Sequence, residues 1–132
     1  MKKLFNKVKI VFLNLYYFRS LFKGLKFLQH LNVSNNKLID LGRHGCSSSK
    51  KYLETIDLSN NKLMYGTIHF NSFFECLGSK KLYLNHNQIN KFMNDWYFLD
   101  ESLKFLDLKY NEIERLKVSL NFFSYYKNFK LL

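Results

Sequence analysis

The sequence has no proline, five glycines, two cysteines and one tryptophan. With so little proline and glycine, no linker built of either divides the chain, and at 132 residues it has the length of one domain. It also lacks any run of the roughly 20 apolar residues that a membrane span requires, so no transmembrane segment is expected. Cys46 and Cys76 are too few to define a redox compartment. They do not occupy equivalent places in the pattern below, and a disulfide between them is not implied. Cys76 reads as a small core residue, since Leu25 and Tyr126 stand at the matching place.

Acid is scarce at the start. Lys2, Lys3, Lys7, Lys9, Arg19, Lys23 and Lys26 all precede the first acid, Asp40. The net charge of +11 is therefore concentrated in a basic N-terminal part. No nucleic-acid-binding motif accompanies that charge, and no specific nucleic-acid partner is expected. A signal peptide also lacks its parts. Ile10 to Phe18 is short and apolar, but Asn14 interrupts it and no small-x-small cleavage site follows.

Catalytic and metal-binding patterns are missing as well. His44-Gly45-Cys46 is half of a metal site with no second pair at ligand spacing. Asp57 and Asp107 lie at a separation open to an inverting carboxylate pair, yet nothing around them in sequence tunes an acid. No enzyme activity, cofactor or metal is expected. Asn32-Val33-Ser34 matches a glycosylation sequon, which matters only if the chain is secreted.

What is present is apolar residue, 47% of the chain, with an 18% aromatic share. This is enough for a packed core and too much for a disordered chain. The excess of Lys, Asn, Phe and Tyr is what an AT-rich genome produces, so composition alone says little about function.

The apolar residues are ordered. Leu53, Ile56, Leu58, Asn61 and Leu63 form a half-buried strand, Ile56-Asp57-Leu58, followed by a corner at Asn. Leu28, Leu31, Val33, Asn36 and Leu38 repeat it. So do Leu82, Leu84, Asn87 and Ile89, with Ser79 in the first place, and Leu103, Leu106, Leu108, Asn111 and Ile113. A weaker copy opens the chain with Phe5, Val8, Ile10, Leu13 and Leu15, Leu13 standing where Asn belongs. Corners at 13, 36, 61, 87 and 111 lie 23, 25, 26 and 24 residues apart. Phe129 and Leu132 begin a sixth copy. Six residues before the first apolar place an aromatic recurs, at Phe22, Phe73, Tyr97 and Phe123.

The pattern L-x-x-L-x-L-x-x-N-x-L at this period resembles the leucine-rich repeat. The period near 24 and the recurring aromatic are similar to its typical, extracellular subclass. The resemblance implies an α/β solenoid, a right-handed superhelix with a curved parallel sheet of about five short strands. Short helices or turns would lie on the convex side. The chain reads as one domain over 1–132. Strands are expected near 7–11, 30–34, 55–59, 81–85 and 105–109, with an incomplete sixth repeat from 129. The best helix signature is Ser72 with Glu75 and a stop at Gly78; Trp96 to Leu99 and the segment after Asn121 read as further short helices or turns. Corner residues Asn36, Asn61, Asn87 and Asn111 should form a structural ladder, because a buried amide can bond backbone groups left free at the turn.

The alternating strand residues should face away from the core. They run from Lys7, Lys9 and Val11 through His30, Asn32, Ser34, Thr55, Asp57, Ser59, Lys81, Tyr83, Asn85, Phe105, Asp107 and Lys109, with Phe12, Asn35, Asn60, His86 and Tyr110 beside the corners. In leucine-rich repeat proteins the concave face is a frequent partner site. Carried over here, the resemblance points to Asp57, Tyr83, Phe105, Asp107, Lys109 and Tyr110 as partner-binding candidates, exposed aromatics amid mixed charge. The expected function is a non-enzymatic protein-interaction module in extracellular recognition or adhesion. The alternatives are a cytoplasmic adaptor binding anionic surfaces through its basic first coil, or a structural spacer. Lacking Cys-rich caps, the chain reads as a fragment of a longer array.

Overall fold

A computed structural model describes residues 7–9, 27–39, 52–64, 80–93, 103–117 and 130–131. The helix signatures at 72–78, 96–99 and after 121, both cysteines, His44, Leu13 and the spacer aromatics at 22, 73, 97 and 123 lie outside these residues. Eight strands are present among the described residues: β1 (Lys7–Lys9), β2 (His30–Asn32), β3 (Thr55–Asp57), β4 (Lys81–Tyr83), β5 (Lys91–Met93), β6 (Phe105–Asp107), β7 (Arg115–Lys117) and β8 (Lys130–Leu131). Every pairing among them is parallel. One sheet runs β1-β2-β3-β4-β6-β8, and a second joins β5 to β7.

In β2, β3, β4 and β6 the middle residue is a Leu or Ile that faces inward. Leu31, Ile56, Leu82 and Leu106 occupy one register across neighbouring strands, and all are buried. The flanking places add Leu28, Leu53 and Leu103 on one side and Val33, Leu58, Leu84 and Leu108 on the other. Leu38, Leu63 and Ile89 close the core beyond the corner. One coil alone would leave this apolar side wet; stacking coils in register removes it from water, at roughly 25 cal/mol per Å².

β2, β3, β4 and β6 span three residues, against the five expected. After β2, β3 and β4 the chain leads into a turn, although hydrogen bonds between coils continue through it. Val33, Leu58 and Leu84 donate their backbone N–H groups to Asp57, Tyr83 and Asp107 at 2.8–2.9 Å. Asn35, Asn60 and His86 donate to Ser59, Asn85 and Lys109 at 3.0–3.1 Å. The corner then turns through a residue of positive φ, namely Asn35, Asn60, His86 and Tyr110, at 54–57°.

The corner asparagines add a line of side-chain bonds between coils. Asn61 donates Nδ2–H to Leu58 O in its own coil and to Val33 O in the preceding one, both at 3.0 Å, and accepts from Leu38 N–H at 3.1 Å. Asn87 repeats this with Leu84 O, Leu58 O and Leu63 N–H. Asn111 repeats it with Leu108 O, Leu84 O and Ile89 N–H. Each amide thus binds its own turn and the coil before it. Asn36 holds its own turn through Val33 O at 2.9 Å and Ser34 O at 3.2 Å. Asn61 and Asn87 are buried; Asn36 and Asn111 are half-buried.

Past the corner the coils stay bonded, with Lys62 N–H to Leu38 O, Gln88 N–H to Leu63 O and Glu112 N–H to Ile89 O. In the last two complete coils this second line of contact becomes regular enough to form the β5–β7 sheet.

Candidate interaction surface

In β2, β3, β4 and β6 the first and third residues lie on the face of the large sheet opposite the core. The first-place residues are His30, Thr55, Lys81 and Phe105. The third-place residues are Asn32, Asp57, Tyr83 and Asp107. From β2 to β6 these side chains are half-buried, except for the exposed Lys81.

Two aromatic pairs mark the fourth and fifth coils. Tyr83 and Phe105 lie with ring centroids 5.1 Å apart, inclined at 49°. His86 and Tyr110 stack at 4.3 Å and 16°. Aromatic residues on adjacent strands are within reach directly and diagonally, which is why Tyr83 meets Phe105 and not only its register partner Asp107. Tyr110 is the most exposed of the large hydrophobic residues described, at 73%. Its backbone and that of His86 occupy the left-handed region, where Asn fits readily and a bulky residue costs about 1 kcal/mol. The second and third coils place Asn35 and Asn60 there. The chain therefore changes from the undemanding residue to two strained aromatics at this end of the sheet.

Asp57 and Asp107 also shape the turn. Asp57 Oδ1 accepts from Ser59 N–H at 3.0 Å and from Ser59 Oγ–H at 2.6 Å. Asp107 Oδ1 accepts from Lys109 N–H at 3.0 Å. These are Asx turns, a local bond that short polar side chains make two residues on. Ser34 and Ser59 were expected on the open face; both are instead buried, each bonded to the Asx oxygen two residues before it. The sequon serine, Ser34, donates to Asn32 Oδ1 from both N–H and Oγ–H. Lys109 is exposed beside Tyr110.

A third aromatic pair escaped the sequence reading. Phe27 and Tyr52 precede the first leucines of the second and third coils and meet at 5.6 Å and 42°. Both are about half exposed, on the edge where the strands begin. Their recurrence one residue before Leu28 and Leu53 was the available signal. The described ion pair on the same edge, Lys80 with Glu54 at 3.5 Å, is exposed.

Among the described residues, no three of His, Cys, Asp and Glu could together hold a metal ion. No helix among them is long and apolar enough to cross a membrane.

The leucine-rich repeat family model matches residues 27–49 and 52–76. No curated protein and no solved structure matches the chain. The two matched segments are the second and third coils, and the fourth and fifth stack on them in the same register with the same leucine and asparagine roles. Over these two coils the chain is built of leucine-rich repeats.

Proposed function

We propose that this protein is a non-enzymatic binding module that docks a protein partner on the open, concave face of its sheet. Tyr83, Phe105 and Tyr110 supply the anchors, and Asp57, Asp107 and Lys109 surround them. The observation that carries this reading is the pair of aromatic contacts, Tyr83 with Phe105 and His86 with Tyr110, on the solvent side of the fourth and fifth coils. Neither pair is among the buried core residues described, which are Leu, Ile and Val. Partly exposed aromatic rings amid mixed charge are the usual make-up of an interaction hot spot. The period near 24 favours extracellular recognition or adhesion as the setting.

The test is affinity capture from a native extract, comparing the wild type with Tyr83→Ala/Phe105→Ala. The partner should be recovered by the wild type and lost by the variant. Equal recovery by both would remove this face from the binding reaction.

A further inference from the structure

The third-place column of the sheet holds an argument about the partner's chemistry, and it rests on the docking face proposed above. Asn32, Asp57, Tyr83 and Asp107 occupy this place in successive strands. In three of the four the side chain makes the Asx turn. Asn32 does so with Ser34 at 3.0 and 2.6 Å, the same distances at which Asp57 bonds Ser59. A neutral amide is therefore sufficient for the turn, and the negative charges of Asp57 and Asp107 are not required by it.

Among the described residues those charges are also unspent. Only Oδ1 of each aspartate is engaged; Oδ2 has no hydrogen bond or ion pair among the described residues. Neither aspartate pairs with Lys81 or Lys109. The Asx bonds hold both carboxylates in fixed orientation, so little side-chain entropy remains to be lost on binding. Between them, one strand spacing from each, lies Tyr83. The fourth coil gives up its Asx residue to place this ring there, and the Tyr83 hydroxyl has no partner among the described residues. The two aspartates stand roughly 10 Å apart, two strand spacings, with the aromatic ring in the gap.

We infer that this rung receives a single basic side chain, an arginine or lysine of the protein partner. The cation lies over the Tyr83 ring, braced by Phe105, and meets Asp57 on one side or Asp107 on the other. An aromatic face attracts a cation, and adjacent carboxylates complete the neutralisation. Lys81 and Lys109 flank the rung, so a polybasic run is repelled and one cation fits.

The experiment selects peptides from a displayed random library on the immobilised full chain. Recovered peptides are then measured against the wild type, Tyr83→Ala/Phe105→Ala and Asp57→Asn/Asp107→Asn. The double Asn variant keeps the turn bonds, as Asn32 does naturally, and thermal melting confirms its fold. Recovered peptides should carry an Arg or Lys whose replacement by Gln weakens binding at least about tenfold, and the Asn variant should show a loss of the same size. Peptides that lose binding to Tyr83→Ala/Phe105→Ala but not to Asp57→Asn/Asp107→Asn would overturn the cation while leaving the docking face. Peptides indifferent to both variants, or no peptides at all, would overturn the face and the cation with it.

Discussion

His86 and Tyr110 stack ring on ring at 4.3 Å while their own backbones sit at φ 54° and 55°, a conformation that asparagine adopts at the equivalent corners of the second and third coils. The stack contributes about 0.5–1.5 kcal/mol. The two left-handed residues cost about 1 kcal/mol each. On this balance the pair is no gain to the fold. His86→Asn/Tyr110→Asn should unfold in urea at the wild-type midpoint or slightly above it. A loss of more than about 1 kcal/mol would show that the stack holds the turn together and is not surplus to it.

The asparagine ladder makes a sharper stability prediction. Asn61 is buried and bonds Leu58 O, Val33 O and Leu38 N–H. Asn61→Ala orphans these groups in a place water does not reach easily. The expected loss is about 3 kcal/mol, measured by chemical denaturation. Asn111→Ala removes the same set of bonds at a half-buried corner, where water can replace some of them, and should cost about half as much. Equal losses would mean that burial does not set the size of the effect.

The sequence displayed the repeat because its inward residues are dictated by one geometry used over and over. Leu31, Ile56, Leu82 and Leu106 must be apolar, and Asn61 and Asn87 must both donate and accept, so these letters recur at a readable period. The face that could bind is not constrained in this way, and its letters change from coil to coil. Tyr83, Phe105 and Tyr110 could be named by counting outward positions, but their pairing could not. Tyr83 meets Phe105 on a diagonal between strands, and His86 meets Tyr110 only because both corners are left-handed. The turn role of Asp57 and Asp107 was hidden for another reason. A D-x-S or D-x-K triplet reads as alternating strand until the side-chain bond shows that the strand has ended. The β5–β7 sheet was likewise missed, since Lys91-Phe92-Met93 and Arg115-Leu116-Lys117 fall in the spacer and share no repeat signature with the earlier coils.

The exposed edge offers a contrast between a visible interaction and an energetic one. Lys80 and Glu54 form an ion pair at 3.5 Å with about half of each side chain in water. Solvent screening and side-chain entropy leave such a pair at about 0.5 kcal/mol or less. Glu54→Gln should therefore leave the thermal midpoint nearly unchanged. Ile56→Ala, two residues further on, removes a fully buried side chain at the centre of the third coil and should cost about 2–5 kcal/mol. A comparable shift from the two substitutions would mean that the edge, not the core, limits stability.

The turn itself can be separated from its charge. Asp57→Asn preserves an oxygen for Ser59 N–H and Ser59 Oγ–H, the arrangement Asn32 already makes with Ser34. Its stability should match the wild type within about 0.5 kcal/mol. Asp57→Ala removes the acceptor and leaves the buried Ser59 hydroxyl without that bond, so about 1–2 kcal/mol should be lost. Calorimetry of the two variants beside the wild type distinguishes the roles. If Asp57→Asn proved as damaging as Asp57→Ala, the negative charge would belong to the fold, and Asp57 would have no charge to spare for a partner.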